Sequence, residues 1–434
     1  MPSYLSPGVY VEEIPPLARP IAGVGTSTPG FIGVIPDTVQ LPANTQQGDA
    51  PSDIAQGFKF VDFALPPAAS AHFISSWGQY TKLFGDFVGD STAAATSAGS
   101  PAVNSGQRHL AHAVYGFFNN GGTGCYVTRV KTDGDLGKAL TTFAAIDDIS
   151  MVAAPGLNSS TDYAALIAHC EKLQDRVAIL DPVTSDSGTA FSTGDFTALE
   201  RADTDPGPPP GLRPPNSDYA AFYFPWIQEF DPATSLIGAK STPPSDGLIF
   251  VPPSGHVAGI YARVDANRGV FKAPANEPVL GATGLQWMLA KADQDNLNPQ
   301  GVNLIRSLNG SLLVWGARTV GGDANGDYKY ISTRRYFNYL RESIEQGTQF
   351  VVFEPNSTGL WQRILRSVGV FLLNEWRSGA LFGDTPKQAF FVKCDADTNP
   401  PEVREAGQVV TEIGVAIVKP AEFVIFRIQQ TTGG

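Results

Sequence analysis

Both ends of this 434-residue chain carry a short extended segment with no partner close by in sequence. This limits the possible folds more than any other feature. Near the start, Pro2, Pro7, Pro15, Pro16 and Pro20 forbid a long helix. Between them, residues 8–14 (GVYVEEI) can form one strand, with Val9 and Val11 on one face, Tyr10 and Glu12 on the other, and Ile14 closing it. Near the end, residues 422–428 (EFVIFRI) set Phe423, Ile425 and Arg427 against Val424, Phe426 and Ile428, so both faces are largely apolar. Such a strand needs cover on both sides, and a single short strand is not stable alone in water. Each end must therefore add to a sheet, in its own subunit or in a neighbouring copy.

Between the ends the pattern alternates in α/β fashion. A Gly/Thr turn and a short apolar strand occupy residues 21–35, and 36–70 reads as a surface insertion. A low-complexity loop fills 90–106. The spacing predicts helices at 107–118, 135–146 and 161–174, with strands at 125–130, 149–153, 176–180 and 219–225. A Pro-rich loop covers 204–216, and a turn leading into a helix covers 251–264. Beyond about 280 come a short helix within 281–298 and strands at 303–306 and 312–317. A helix at 333–346 follows, with Gly347 placed as its C-cap. Then come a strand at 349–353, a helix at 358–379, and strands near 388–394 and 408–418.

The helix at 358–379 carries the clearest pattern. At 100° per residue, Trp361, Leu365, Val368, Leu372 and Trp376 share one face. Arg363, Arg366, Val370, Asn374 and Arg377 form an opposing stripe with three cations and no acid. Taken alone, that stripe reads as a solvated helix face.

Charge is low and unevenly placed. Only 17% of residues are charged, and the net charge is −12. Residues 280–434 hold 15 Lys/Arg and 15 Asp/Glu, so the whole −12 lies in 1–279. This argues against a phosphate-backbone binder, which needs a basic face. It fits an acidic region facing water and a neutral region packed among partners. Cys125, Cys170 and Cys394 are few, odd in number and far apart, which predicts no disulfide framework and a reducing compartment of synthesis. The opening residues have neither a basic region nor an apolar core, so no secretion signal is expected, and no apolar run is long enough to span a bilayer.

Catalytic and metal-binding patterns are not recognisable. His109 and His112 are spaced i, i+3, but no HExxH or Cys/His cluster accompanies them, and they read as packing or surface histidines. Asp395, Asp397 and Asn399 begin like a calcium loop, yet Pro400 and Ala406 stand where that loop needs Gly and Glu. They read as Asx turns. Gly23, Gly25 and Thr28 lack the third glycine of a dinucleotide fingerprint. There is no P-loop and no GxSxG elbow. No catalytic, cofactor or metal site is expected, and an enzyme built on residues 135–265 would need titratable groups converging in a pocket.

A set of motifs in fixed order does carry a resemblance. YLSPGVYVEEI at 4–14, GTSTPGFIG at 25–33, APANE at 273–277 and GATGL at 281–285 are similar to segments of contractile phage-tail sheath proteins. So are LNPQGVN at 297–303, VWGART at 314–319, YISTRR at 330–335, the helix at 360–380, TPKQAFFVKCD at 385–395 and PAEFVIFRI at 420–428. The resemblance covers about 1–35, 105–130 and 270–430. PANEP at 274–278 and the KCDADTN run at 393–399 look closest to sheaths of phage-tail-like extracellular injection systems.

The resemblance implies an α+β and α/β multidomain fold. An inner sheath domain would comprise 1–35 and 280–434, and an outer α/β domain 36–279, with insertions near 36–70, 90–106 and 183–216. It implies a helical stack of hexameric rings around an inner tube protein, with baseplate and terminal cap proteins as further partners. No nucleic acid, cofactor or direct membrane insertion is implied. Terminal strands would be exchanged between subunits through Val9, Tyr10, Val11, Ile14, Phe423, Val424, Ile425, Phe426 and Ile428. Arg363, Arg366 and Arg377 become candidates for inner-tube contact. A phage virion tail sheath, a bacteriocin-like particle and, more distantly, another lattice-forming protein remain alternatives.

Overall fold

The computed structural model describes residues 20–90, 103–183, 196–207, 210–238 and 246–425. Val9, Tyr10, Val11, Ile14, Phe426 and Ile428 lie outside the described residues, as do 91–102 and 184–195 of the expected insertions. The chain forms two compact units: Gly25–Tyr339 with Lys419–Gly434, and Leu340–Val418 with Met1–Val24.

In chain order the strands of the larger unit are β1 (Pro29–Val34), β2 (Thr38–Asn44), β3 (Phe58–Ala64), β4 (His72–Ile74), β5 (Cys125–Val130), β6 (Met151–Ala153) and β7 (Val177–Leu180). They continue as β8 (Ala220–Phe224), β9 (Ile227–Phe230), β10 (Leu248–Val251), β11 (Glu277–Pro278), β12 (Ala282–Leu285), β13 (Val302–Leu308) and β14 (Ser311–Val314). Nine of them form a mixed sheet in the order β11-β14-β13-β8-β7-β6-β1-β5-β4. From β13 to β5 neighbours run parallel, while β14, β11 and β4 are antiparallel at the two edges.

The sequence forms this sheet because its central strands are apolar on both faces. Every residue of β7 and β8 is buried, as a parallel strand covered on both sides requires. Phe31, Val127, Ile179, Tyr223 and Ile305 pack with Leu110, Phe117 and Tyr261 of helices Ser105–Asn119 and Ser254–Arg268. The alternate residues Ile32, Val130, Leu180, Phe222 and Leu304 pack with Phe143 and Leu166 of helices Leu136–Ala144 and Ser160–Leu173. The first two helices approach closely: a Cβ at Gly255 would overlap the Ala113 backbone, and one at Gly259 the Phe117 carbonyl. Segment 36–70, expected as a surface insertion, contains the antiparallel hairpin β2–β3, with the helix Pro51–Gln56 in its connection. A separate three-stranded sheet has the order β10-β9-β12.

The boundary expected at 279/280 falls inside the larger unit. Charge balance reports exposure to water, but strand pairing decides which residues share a core. β13 pairs with β8, and β1 lies between β6 and β5 of the same sheet, so residues on both sides of 280 share one core.

The smaller unit contains the helix Thr358–Arg377 and an antiparallel pair, β15 (Phe390–Lys393) and β16 (Glu412–Val415). The ladder continues irregularly, with Phe382 N donating to Ala416 O at 2.7 Å and Val418 N to Ala380 O at 3.2 Å. Two expectations fail here. The helix Ile331–Thr348 runs through Gly347, whose missing side chain makes room for Ile21. The expected strand at 349–353 is instead the 3-10 turn Gln349–Val351, because the helix end tightens and, among the described residues, no strand pairs with this apolar run. A third expectation fails in part: residues 422–425 form no strand among the described residues.

Candidate functional site

The helix Thr358–Arg377 starts at Ser357, whose hydroxyl accepts from Leu360 N at 3.4 Å. This is an ordinary N-cap. Leu360, Trp361, Ile364, Val368, Phe371 and Leu372 are buried. That stripe is turned by about 60° from the expected one, at 100° per residue. Leu365 and Trp376 are only half-buried. Trp376 sits at the rim because its indole N–H reaches Gly383 O at 2.8 Å, and Trp361 likewise reaches Asn356 Oδ1 at 2.8 Å. An indole buried with its polar edge satisfied favours such margins, which a helical wheel does not show.

The three candidate arginines do lie away from the buried stripe. Arg366 and Arg377 are exposed. Arg366 donates to the Gln362 carbonyl at 3.3 Å. Arg363 departs from the expectation of a stripe without acids, because Glu354 from outside the helix pairs with it at 2.7 Å. The wheel missed this partner because it lies nine positions upstream, before the helix starts. In the same unit Val352, Phe353, Val370, Phe382 and Phe391 are exposed apolar side chains.

In the larger unit, Phe423, Val424 and Ile425 are 72%, 68% and 79% exposed. The residue before them is held firmly. Glu422 Oε1 accepts from Arg318 Nε at 2.9 Å and Asn298 Nδ2 at 2.7 Å. Its Oε2 accepts from Arg318 Nη2 at 2.8 Å and Tyr330 Oη at 2.9 Å. Burial works against the Glu422 carboxylate, but these hydrogen bonds and the Arg318 charge outweigh it and hold its pKa below the ordinary value. Burial and the nearby carboxylate push Tyr330 up to about 12. Sequence reasoning missed this cluster because its members stand 92 to 124 positions from Glu422.

A second buried cluster was also illegible. His112 Nδ1 meets Glu229 Oε1, His256 Nε2 meets Glu229 Oε2 at 3.1 Å, and His112 Nε2 lies 3.8 Å from Asp231. His112, read as an ordinary surface or packing residue, is thus part of a buried charged network. His109 packs edge-on against Trp226 at 5.1 Å. Near the network, a concavity of about 510 Å3 is lined by Trp77, Phe87, Tyr115 and Phe230, with Asp86 and Glu229 as its acids. Glu229 is already committed to two histidines, so the arrangement suits packing better than proton transfer. The Asx-turn reading of Asp395 holds: its Oδ1 accepts from Asp397 N at 3.0 Å and Thr398 N at 3.3 Å. Cys125, Cys170 and Cys394 are buried free thiols. Among the described residues, no group of three metal-ligating side chains occurs and no helix is long and apolar enough to cross a membrane.

Comparison with known proteins defines the class. The phage tail sheath protein central domain matches residues 214–320, and the phage tail sheath C-terminal domain matches 323–431. The tail sheath protein of Burkholderia phage BcepMu is 26% identical over 225 residues, which is 50% of this chain and 44% of that protein. The match therefore spans less than half of that relative. Among solved structures, the PVC sheath complex of an extracellular contractile injection system, in the contracted state, is 26% identical with a TM-score of 0.70 over 99% of both chains. The contracted helical sheath of the anti-feeding prophage is 26% identical with a TM-score of 0.68, covering 98% of this chain and 99% of that one. The chain belongs to the phage tail sheath family. Within that family its fold is similar to the sheath subunits of contractile injection systems over 98% to 99% of the chain.

Proposed function

We propose that this chain is the structural subunit of a contractile sheath of the injection-system kind. Copies polymerise as a helical stack of six-membered rings around an inner tube, attached to a baseplate. Contraction of the stack drives the tube through a target membrane. The observation that carries this reading is the likeness over 99% of both chains to a subunit of a contracted sheath. The absence of a nucleotide motif from the sequence agrees with energy stored at assembly and not taken from hydrolysis.

In this reading the terminal segments pair with neighbouring copies by strand addition, where main-chain hydrogen bonds supply the strength. Val9, Tyr10, Val11 and Ile14 serve at one end, and Phe423, Val424, Ile425, Phe426 and Ile428 at the other. The exposure of Phe423, Val424 and Ile425 supports a partner outside the subunit. The two-stranded sheet β15–β16 is the natural acceptor, since a two-stranded sheet is marginal without a further strand. The smaller unit with the arginine helix faces the tube, and Arg366 and Arg377 supply its free cations. The exposed acidic residues of 1–279 face water, while Glu229 and Asp231 stay buried with their histidines.

The BcepMu relative favours a second reading, a virion tail sheath, which has the same subunit design. Expression with the cognate tube protein, followed by negative-stain electron microscopy, tests the proposal. The expected result is long tubes with six-fold end views. Flat lattices or unassembled subunits in the presence of tube would overturn it.

A further inference from the structure

We propose that Glu422 is the anchor that fixes where the C-terminal segment leaves its own subunit, so that the apolar residues after it are presented to a second copy of this chain. The inference rests on the sheath reading and names a positioning residue for its assembly step.

Three observations carry it. First, the Glu422 carboxylate is saturated. It accepts four hydrogen bonds of 2.7 to 2.9 Å, two per oxygen, which is the full capacity of an ionised carboxylate. Two of them come from one guanidinium in the bidentate arrangement that fixes direction as well as distance.

Second, the donors are themselves immobilised. Arg318 N donates to Asn303 Oδ1 at 2.7 Å, and Arg318 O accepts from Asn303 Nδ2 at 2.8 Å, which ties its backbone to β13. Its guanidinium also donates to Asn298 O at 3.0 Å and pairs with Asp323 at 3.1 Å. Arg318 and Tyr330 face each other across a β-bridge. Asn298, Arg318, Tyr330 and Glu422 each sit in a different one of the motifs that carry the sequence resemblance.

Third, polarity is inverted across the anchor. The ionised residue is the one tucked in, and the next three, all large and apolar, are exposed. A segment folding onto its own subunit would bury the apolar residues and leave the glutamate in water. Lys419 pairs with Asp327 at 3.1 Å, but both are exposed and add little. The chain is thus pinned at one residue and released immediately afterwards, which lowers the entropy lost when a neighbour captures the segment.

The test compares full-length Glu422→Gln and Glu422→Ala with the double variant Phe423→Asp, Ile425→Asp. The readouts are thermal melting, hydrogen exchange over 419–425 and the subunit concentration needed to form sheaths on tubes. The anchor predicts a small drop in melting for Glu422→Gln, faster exchange confined to 419–425, and a rise of about tenfold or more in the required concentration, corresponding to about 1.4 kcal/mol. Glu422→Ala should shift further in the same direction. If both Glu422 variants assemble like the parent while the double variant fails, the anchor is overturned and the exchange reading stands. If the double variant also assembles normally, the exchange reading falls and the anchor with it. Melting lowered in proportion to lost assembly in both Glu422 variants would make Glu422 a folding contact, again overturning the positioning role.

Discussion

His112 shows how much one buried residue can govern. Burial is the largest single influence on its imidazolium and opposes it. The charges of Glu229 and Asp231, with their hydrogen bonds, outweigh that penalty and push the pKa up to about 9. Burial likewise opposes the Glu229 carboxylate, yet His256 and His112 hold its pKa down to about 2. Because the folded His112 pKa lies above its ordinary value of 6.5, its contribution is complete below about 6.5 and is lost as pH rises through about 9. Glu229 contributes above its ordinary value of 4.5 and loses that contribution as pH falls toward 2. Stability should therefore fall between pH 7 and pH 10, by of order 3 kcal/mol at most, read as a lowered melting temperature. His112→Asn should be less stable at pH 7 and flatter across that range; an unchanged alkaline slope would refute the assignment. Glu229→Ala leaves His112 and His256 without their shared partner and should cost about 3–5 kcal/mol in urea unfolding.

At the scale of elements, two helix surfaces make opposite demands. Helices Ser105–Asn119 and Ser254–Arg268 meet where glycine lets backbone approach backbone. Gly259→Val has no flexible side chain to displace, only the Phe117 carbonyl and Asn120, and should destabilise the larger unit by about 1–3 kcal/mol or more. Denaturant unfolding reads that directly. The helix Thr358–Arg377 instead offers an exposed stripe. Arg366→Glu with Arg377→Glu should leave melting within about 0.5 kcal/mol of the parent, while sheath growth on tubes is impaired in co-sedimentation. Unimpaired growth would return both arginines to a solvated face. Arg363 is a poorer choice, because its partner Glu354 already answers its charge.

At the scale of the whole molecule, the chain leaves the larger unit at Tyr339, forms the smaller unit through Val418, and returns to the larger unit at Lys419. Both terminal segments bear on assembly in the proposed function. Deleting residues 1–14 should leave a soluble subunit with near-normal melting that forms no stable sheath in electron micrographs. Normal tubes from the truncated chain would remove the N-terminal segment from the assembly mechanism.

What the sequence determined by itself is what short-range pattern encodes. The apolar runs that became β7 and β8 were legible because a strand covered on both faces must be apolar throughout. The helix at 358–377 was legible because polar and apolar residues recur at its own period. The motif order gave the family. Tertiary structure alone decided the rest. It placed β1 beside β5 and β6, ran one sheet across the charge boundary at 280, and turned the buried stripe of the arginine helix toward Ile364 and Phe371. It also gathered His112, Glu229, Asp231 and His256 into one network, and closed Arg318, Asn298 and Tyr330 around Glu422. The physical reason is the same in each case. Periodicity reports which face of an element avoids water, but a hydrogen bond or ion pair between residues a hundred positions apart exists only once the chain has brought them together.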